Sequence, residues 1–278
     1  MRCGLVAFAE FNVLRLMPIH CLDSLFSTGV NNEQIKFTNH SAQIYSIAIS
    51  SNNNILVSAS ADHSICIYSL VDFILLHKCT GHLGPVYCVK ISSNGQYIAS
   101  GSMDATARLW DVRTGKTLRI FAGHTQSIIC LEFHPNCLYI VTGSADRNIR
   151  LWSLNKATPL RLLHAAKGSV YSLAFNPPGR LLASASEDKK IRVWDLLTSK
   201  IIVEIRCKDS PIVRLIWCKD GTELCAATVD GIIRIWDFAS IQVHSESSRH
   251  HEPKLIQSLN AKLLSLEYTF GTYGTLTM

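Results

Sequence analysis

Residues 81–111 read GHLGPVYCVKISSNGQYIASGSMDATARLWD. The stretch opens on Gly-His and closes on Trp-Asp, with Ser100 and Asp104 at set places between. A shift of 42 residues in either direction brings back the same order of residue types. The acidic member falls at Asp62, Asp104, Asp146, Asp188 and Asp230, and the aromatic six residues later at Tyr68, Trp110, Trp152, Trp194 and Trp236. Self-similarity at this period, with Gly-His early and Trp-Asp late, predicts β-propeller blades.

Each repeat has room for four short strands and almost none for helix. IYSIAIS, VYCVKIS, IICLEFH and VYSLAFN alternate side chains between two faces, as strands do. Polar turns follow them, with Gly or Asn to supply the positive φ that a tight hairpin needs. A second apolar run leads to the Asp turn, a third ends on the aromatic, and a fourth enters the next repeat. The expected fold is therefore all-β, a ring of seven blades with five clear ones and degenerate or partial blades at the ends. Residues 1–34 form an atypical N-terminal segment, read as a partial blade or an insertion. Residues 35–240 hold the five clear repeats. Residues 241–278 read as a polar loop followed by a partial terminal blade, with helix-like apolar spacing at its start.

Composition agrees with a well-buried domain. The chain has 278 residues, 47% hydrophobic and 17% charged, too apolar for disorder. A net charge of +6, scattered along the chain, permits an acidic partner without requiring nucleic acid. None of the 10 cysteines forms Cys-x-x-Cys, and several lie in apolar strands, so they read as buried free thiols of a reducing compartment. The basic, apolar start is broken at Glu10 and makes a poor signal peptide. No run is long enough to span a bilayer as a helix, and no membrane association is expected.

Four positions per repeat set up a hydrogen-bond chain: a His before the first strand, a Ser or Thr, the Asp, and the Trp. Two repeats hold the full set, His82, Ser100, Asp104 and Trp110, then His124, Thr142, Asp146 and Trp152. The first keeps His40, Ser58 and Asp62 but ends on Tyr68. The fourth keeps Ser184, Asp188 and Trp194 with Ala166 at the His position, and the fifth keeps Asp230 and Trp236 with Lys208 and Ala226 as replacements. A His–Asp–Ser grouping also suggests a hydrolase triad, but a triad occurs once and needs an exposed nucleophile. A set that recurs in every repeat is structural, tying strands together and favouring one register. Arg108, Arg150, Arg192 and Arg234 follow the Asp by four and are expected to stack on a neighbouring surface. His244, His250 and His251 lie in a polar stretch and read as loop, and no metal or other cofactor is expected.

These motifs are similar to those of the WD40 family, over about three-quarters of the chain. A closer likeness lies in LRIFAGH (118–124) and FHPNCLYIVTGSADRNIRLW (133–152), which resemble the WD40 region of TFIID subunit 5 proteins and their SAGA-type relatives. That resemblance implies a nuclear, non-catalytic scaffold in RNA polymerase II preinitiation complex assembly. Its partners would be histone-fold TBP-associated factors and other TFIID or SAGA subunits, without sequence-specific nucleic-acid binding. The residues just before each Asp, among them Met103, Glu187 and Val229, differ from blade to blade and form the candidate partner-binding face. The alternative is a substrate receptor of a cullin ubiquitin ligase, because Trp110-Asp111-Val112-Arg113 resembles the end of the motif such receptors use. Arg113 would then contact the adaptor. An enzyme is disfavoured, since the repeat offers no cluster of acids or metal ligands that stands apart.

Overall fold

The computed structural model describes residues 5–10, 13–18, 35–164, 167–207, 210–239 and 253–260. The described residues form one three-stranded and five four-stranded antiparallel sheets, with no helix among them. Blade two shows the pattern. Its strands Val86–Ile91, Tyr97–Ser102, Thr106–Asp111 and Thr117–Ala122 pair in sequence order, each with the next. The first strand lies innermost, so the inner strands of the five blades (Ile44–Ile49, Val86–Ile91, Ile128–Phe133, Val170–Phe175 and Ile212–Trp217) face a common channel. The fold is a β-propeller.

Both ends contribute strands. Leu5–Glu10, Val13–Pro18 and Ile35–Phe37 make the three-stranded sheet, in which Leu14 opposes Phe37. Phe37 packs on Tyr68 of blade one with ring centroids 4.4 Å apart. Lys254–Asn260 supplies the fourth strand of blade five, pairing with Ile232–Asp237. This corrects the helix-like expectation at the start of KLIQSLN. Leu255 and Ile256 are both exposed on an outermost strand, where only one edge is paired and apolar alternation carries no burial signal. The expectation of a further blade formed by the C-terminal residues falls on 261–278, outside the described residues, as does the loop of 240–252.

The hydrophobic core sits between blades rather than in one centre. One cluster joins Val57, Ile65 and Ile67 of blade one to Val86, Ile98 and Trp110 of blade two. Others join blades two and three, three and four, and four and five. Small residues are required at these seams. A Cβ on Gly101 would lie 2.5 Å from a methyl of Ile128 in the next blade, and one on Gly143 would lie 2.7 Å from Val170.

The Asp turn is built alike in all five blades. The residue after the Asp takes a left-handed conformation: His63, Ala105, Arg147, Lys189 and Gly231 have φ between 61° and 75°. Four of these carry a Cβ, which makes the conformation costly. The Asp carboxylate offsets the cost by accepting the amide N–H two residues on, in the manner of an Asx turn. Oδ1 of Asp62, Asp104, Asp146, Asp188 and Asp230 lies 2.9–3.2 Å from those nitrogens. Asp therefore has work at this position even in a blade that has lost its His.

Candidate functional site

Beneath the Asp turns lie the hydrogen-bond chains. In blade two Trp110 Nε1 donates to Ser100 Oγ at 2.8 Å, Ser100 Oγ meets His82 Nε2 at 2.8 Å, and His82 Nδ1 meets Asp104 Oδ2 at 2.9 Å. An ionised carboxylate only accepts, so His82 donates from Nδ1 and its Nε2 accepts the Ser100 hydroxyl proton. Every proton in the chain then has one direction. Blade three repeats it through Trp152, Thr142, His124 and Asp146 at 2.8, 2.8 and 2.7 Å.

Burial pushes the His82 and His124 imidazoles below their ordinary pKa, against the pull of Asp104 and Asp146. Burial alone would raise Asp104, yet hydrogen bonds from the Thr106 hydroxyl, the Leu83 amide and His82 hold it at about 2. The folded chain thus carries neutral histidine against ionised aspartate. Ser100 and Thr142 are fully buried, so this grouping presents no exposed nucleophile.

The other blades show what happens when members are missing. In blade one His40 reaches Ser58 at 2.7 Å and Asp62 at 2.9 Å, but the buried Tyr68 hydroxyl has no well-formed hydrogen bond. In blade four Trp194 still donates to Ser184 at 2.9 Å. Arg192 turns to Asp188, Nη2 to Oδ2 at 2.6 Å, with Nε on Glu204 at 3.1 Å. In blade five Arg234 lies 2.9 Å from Thr228 and 3.7 Å from Asp230, and Trp236 remains buried. Ala166 and Lys208 lie outside the described residues, as do His244, His250 and His251.

The arginine thus has two conformations of use. In blade three, where His124 occupies the Asp, the Arg lies over the Trp of its own strand instead, with Arg150 Cζ 6.0 Å from the centre of the Trp152 ring. Nε of both Arg108 and Arg150 is buried without a hydrogen bond. The Gly before the His makes room for this stack: a Cβ on Gly81 would lie 2.8 Å from Arg108 Nη1 and 3.3 Å from Trp110 Cη2. The expectation of arginines stacked on a neighbouring surface is corrected: Arg150 lies over Trp152 of its own strand, and in blades four and five the Asp recruits the cation.

The candidate binding surface is the face that these chains support. Met103 and Val229 are 54% and 61% exposed, Leu83 at the entry to blade two is 84% exposed, and Glu187 is also exposed. Their backbones are pinned to the entry of the inner strands, Met103 N to Pro85 O at 2.9 Å and Val229 N to Pro211 O at 3.0 Å. Glu187 accepts from the Ser169 amide at 3.1 Å. Arg113 lies at the turn leading into the outer strand, at the other end of its blade, where its carbonyl accepts from His77 Nε2 at 2.8 Å.

Sequence reasoning missed Arg214. It occupies the channel-facing position held by Ser46, Cys88, Cys130 and Ser172 in the other blades, one step of 42 apart each, and the charge difference along that series was the available signal. No helix among the described residues is long and apolar enough to cross a membrane. The family model of the IFT122 first β-propeller matches residues 43–266. No curated protein matches the chain significantly.

Proposed function

From a chain that belongs to the IFT122 first β-propeller family, we propose a non-catalytic scaffold that holds protein partners within a larger assembly. One observation carries this reading: apolar residues that differ between blades, Leu83, Met103 and Val229, stand exposed on a face whose turns are all fixed by the same Asp geometry. A rigid repeated frame with position-specific side chains is what a selective binding face needs. Exposed apolar residues are ordinary singly; what supports the reading is that these three share the end of the molecule that the Asp turns hold in one geometry.

Affinity purification of the tagged full chain, compared with a Met103→Asp/Val229→Asp double variant, tests it. Partners that are retained by the parent and lost from the equally folded variant support the scaffold. An identical set of partners from both would remove this face as the docking surface.

A narrower reading places the chain in the nucleus, in TFIID or a SAGA-type coactivator, bound to histone-fold TBP-associated factors. The Phe133–Trp152 stretch favours it, whereas the matching family is named for IFT122 and not for a TFIID subunit. Histone-fold subunits among the purified partners would support this version, and their absence from nuclear extract would leave only the general scaffold. For a cullin-ligase receptor the contact would be Arg113, so Arg113→Ala should lose a ligase adaptor while keeping partners of the Asp-turn face.

A further inference from the structure

Each inner strand skips one residue in its pairing with the second strand, and the skipped residues are Tyr45, Tyr87, Ile129, Tyr171 and Val213. A bulge of this kind re-aims a side chain. Here it puts three tyrosines around one end of the channel, the end on the Asp-turn face, where Tyr45, Tyr87, Ile129 and Tyr171 line a cavity of about 290 Å³. Tyr45 and Tyr87 meet edge to face, with ring centroids 5.3 Å apart. Tyr45 is 45% exposed and Val213 54%, so the mouth is open and largely aromatic and apolar.

One residue deeper the same strands carry Ser46, Cys88, Cys130, Ser172 and Arg214. Four are small and uncharged, and the fifth is a guanidinium. Arg214 lines both this cavity and the adjoining one of about 480 Å³. The thiols of Cys88 and Cys130 and the Lys90 ammonium, on the inner strands of blades two and three, all feel its charge. Lys90 itself is satisfied by Glu132 at 2.7 Å. Arg214 has neither a hydrogen bond nor an ion pair with any described residue. Among the described residues, Arg214 is therefore the cation without a countercharge next to the tyrosines, and Lys219 lines only the adjoining cavity, beyond the end of its strand.

We propose that this mouth receives the carboxylate of a Glu or Asp side chain, presented by an extended segment of a protein partner. The carboxylate pairs with Arg214, in the fork geometry that guanidinium offers, while flanking apolar residues pack on Tyr45, Tyr87 and Tyr171. The local charge balance favours a carboxylate over a phosphate: beside the tyrosines Lys90 is paired with Glu132 and Arg214 alone is left to neutralise, Lys219 lining only the adjoining cavity. The proposal rests on the scaffold reading only in taking a protein as the ligand.

The test is fluorescence anisotropy of the full chain with a labelled, end-capped peptide of Leu-Glu-Leu flanked by glycines, beside the same peptide with Gln or Lys in place of Glu. The Glu peptide should bind at least about tenfold tighter than the Gln peptide, as a charge-assisted hydrogen bond predicts, and weaken as salt rises. Arg214→Gln should erase that preference and leave binding of the Gln peptide unchanged. If Arg214→Gln fails to melt cooperatively, Arg214→Lys takes its place, keeping the charge without the fork, and should reduce the preference without removing it. Equal binding of the Glu and Gln peptides, no binding of any peptide, or a Glu preference that survives in Arg214→Gln overturns the proposal. Partners that still purify with the parent chain in those cases leave the scaffold reading standing, so the two failures are distinguishable.

Discussion

Arg192 Nη2 lies 2.6 Å from Asp188 Oδ2, at the place where blades two and three set a histidine ring against the aspartate. Both side chains are about nine-tenths buried. The blade has replaced a neutral–ionic contact with an ion pair, and Glu204 completes it from the outer strand.

Removing that cation should be costly. Arg192→Met would strand Asp188 beside the buried Ser186 hydroxyl with no compensating charge, and breaking a buried pair typically costs about 3–5 kcal/mol. Partial exposure of Glu204 argues for the lower end of that range. Arg234→Met in blade five removes a looser contact at 3.7 Å to an aspartate that is one-quarter exposed, so a loss of about 1 kcal/mol or less is expected. Urea unfolding of the two variants measures both, and equal losses would refute the substitution of Arg for His.

Acid should destabilise the protein from neutral pH downward. Burial keeps His40, His82 and His124 below their ordinary pKa in the folded chain, even with an aspartate beside each. In the unfolded chain they titrate near 6.5, so the unfolded state binds protons first. Their contribution is complete above about pH 6.5 and is lost as pH falls through the lower folded values. Below about pH 4 the paired aspartates, also held low, add a second loss in the same direction. Melting temperature followed from about pH 7.5 to about pH 5 should fall, and His124→Phe should flatten the slope. A flat profile in the parent chain would show that these rings ionise freely.

The hydroxyl at the centre of each chain links three groups. Ser100→Ala leaves the Trp110 indole N–H and the His82 ring nitrogen buried without partners, an expected loss of about 1–3 kcal/mol per group. Ser184→Ala strands Trp194 and removes a donation to the Arg192 carbonyl, which is already part of the strand pairing, and should cost less. Thr142→Ser should be close to neutral and Thr142→Val should not, although Val is the nearer match in shape. Denaturant midpoints in that order would support the directional chain.

Tyr68 gives the opposite sign. Its hydroxyl is buried without a well-formed hydrogen bond, so Tyr68→Phe removes a desolvated group and keeps the ring against Phe37. A gain of up to about 1 kcal/mol is expected. A clear loss in thermal unfolding would mean that the hydroxyl is satisfied in solution.

Amide exchange should be slowest in the inner strands of blades two and three, which hold complete chains, and fastest in blade five. Protection in blade five equal to that in blade two would show that the chains do not govern local opening.

Much of this was legible in the repeat. Steps of 42 place the Asp of every turn and the Trp of four blades, and the match of His82 and His124 to Ser100 and Thr142 follows from spacing alone. What spacing cannot say is where a long side chain turns. Arg150 and Arg192 occupy the same strand position, and only the presence of a ring on the Asp sends one to the Trp and the other to the carboxylate. The strand Lys254–Asn260 was hidden for a different reason. It follows a long polar stretch and lies at a sheet edge, so neither distance from Trp236 nor apolar alternation announces it. Arg214 escaped notice because the aligned positions Ser46, Cys88, Cys130 and Ser172 look like unremarked strand residues until the ring brings them together.

The division of the core into seams between neighbouring blades bears on how the chain comes off the ribosome. The seam of blades one and two runs from Ala48 to Val112, and that of blades four and five from Ala174 to Phe238. Among the described residues, each of these seams joins blades consecutive in the chain. Each blade can bury its apolar face against the one synthesised before it, so assembly can proceed in step with translation, one blade at a time. Exposure to aggregation is then confined to the newest face, and a stalled or truncated product would still carry docked blades up to the point of arrest.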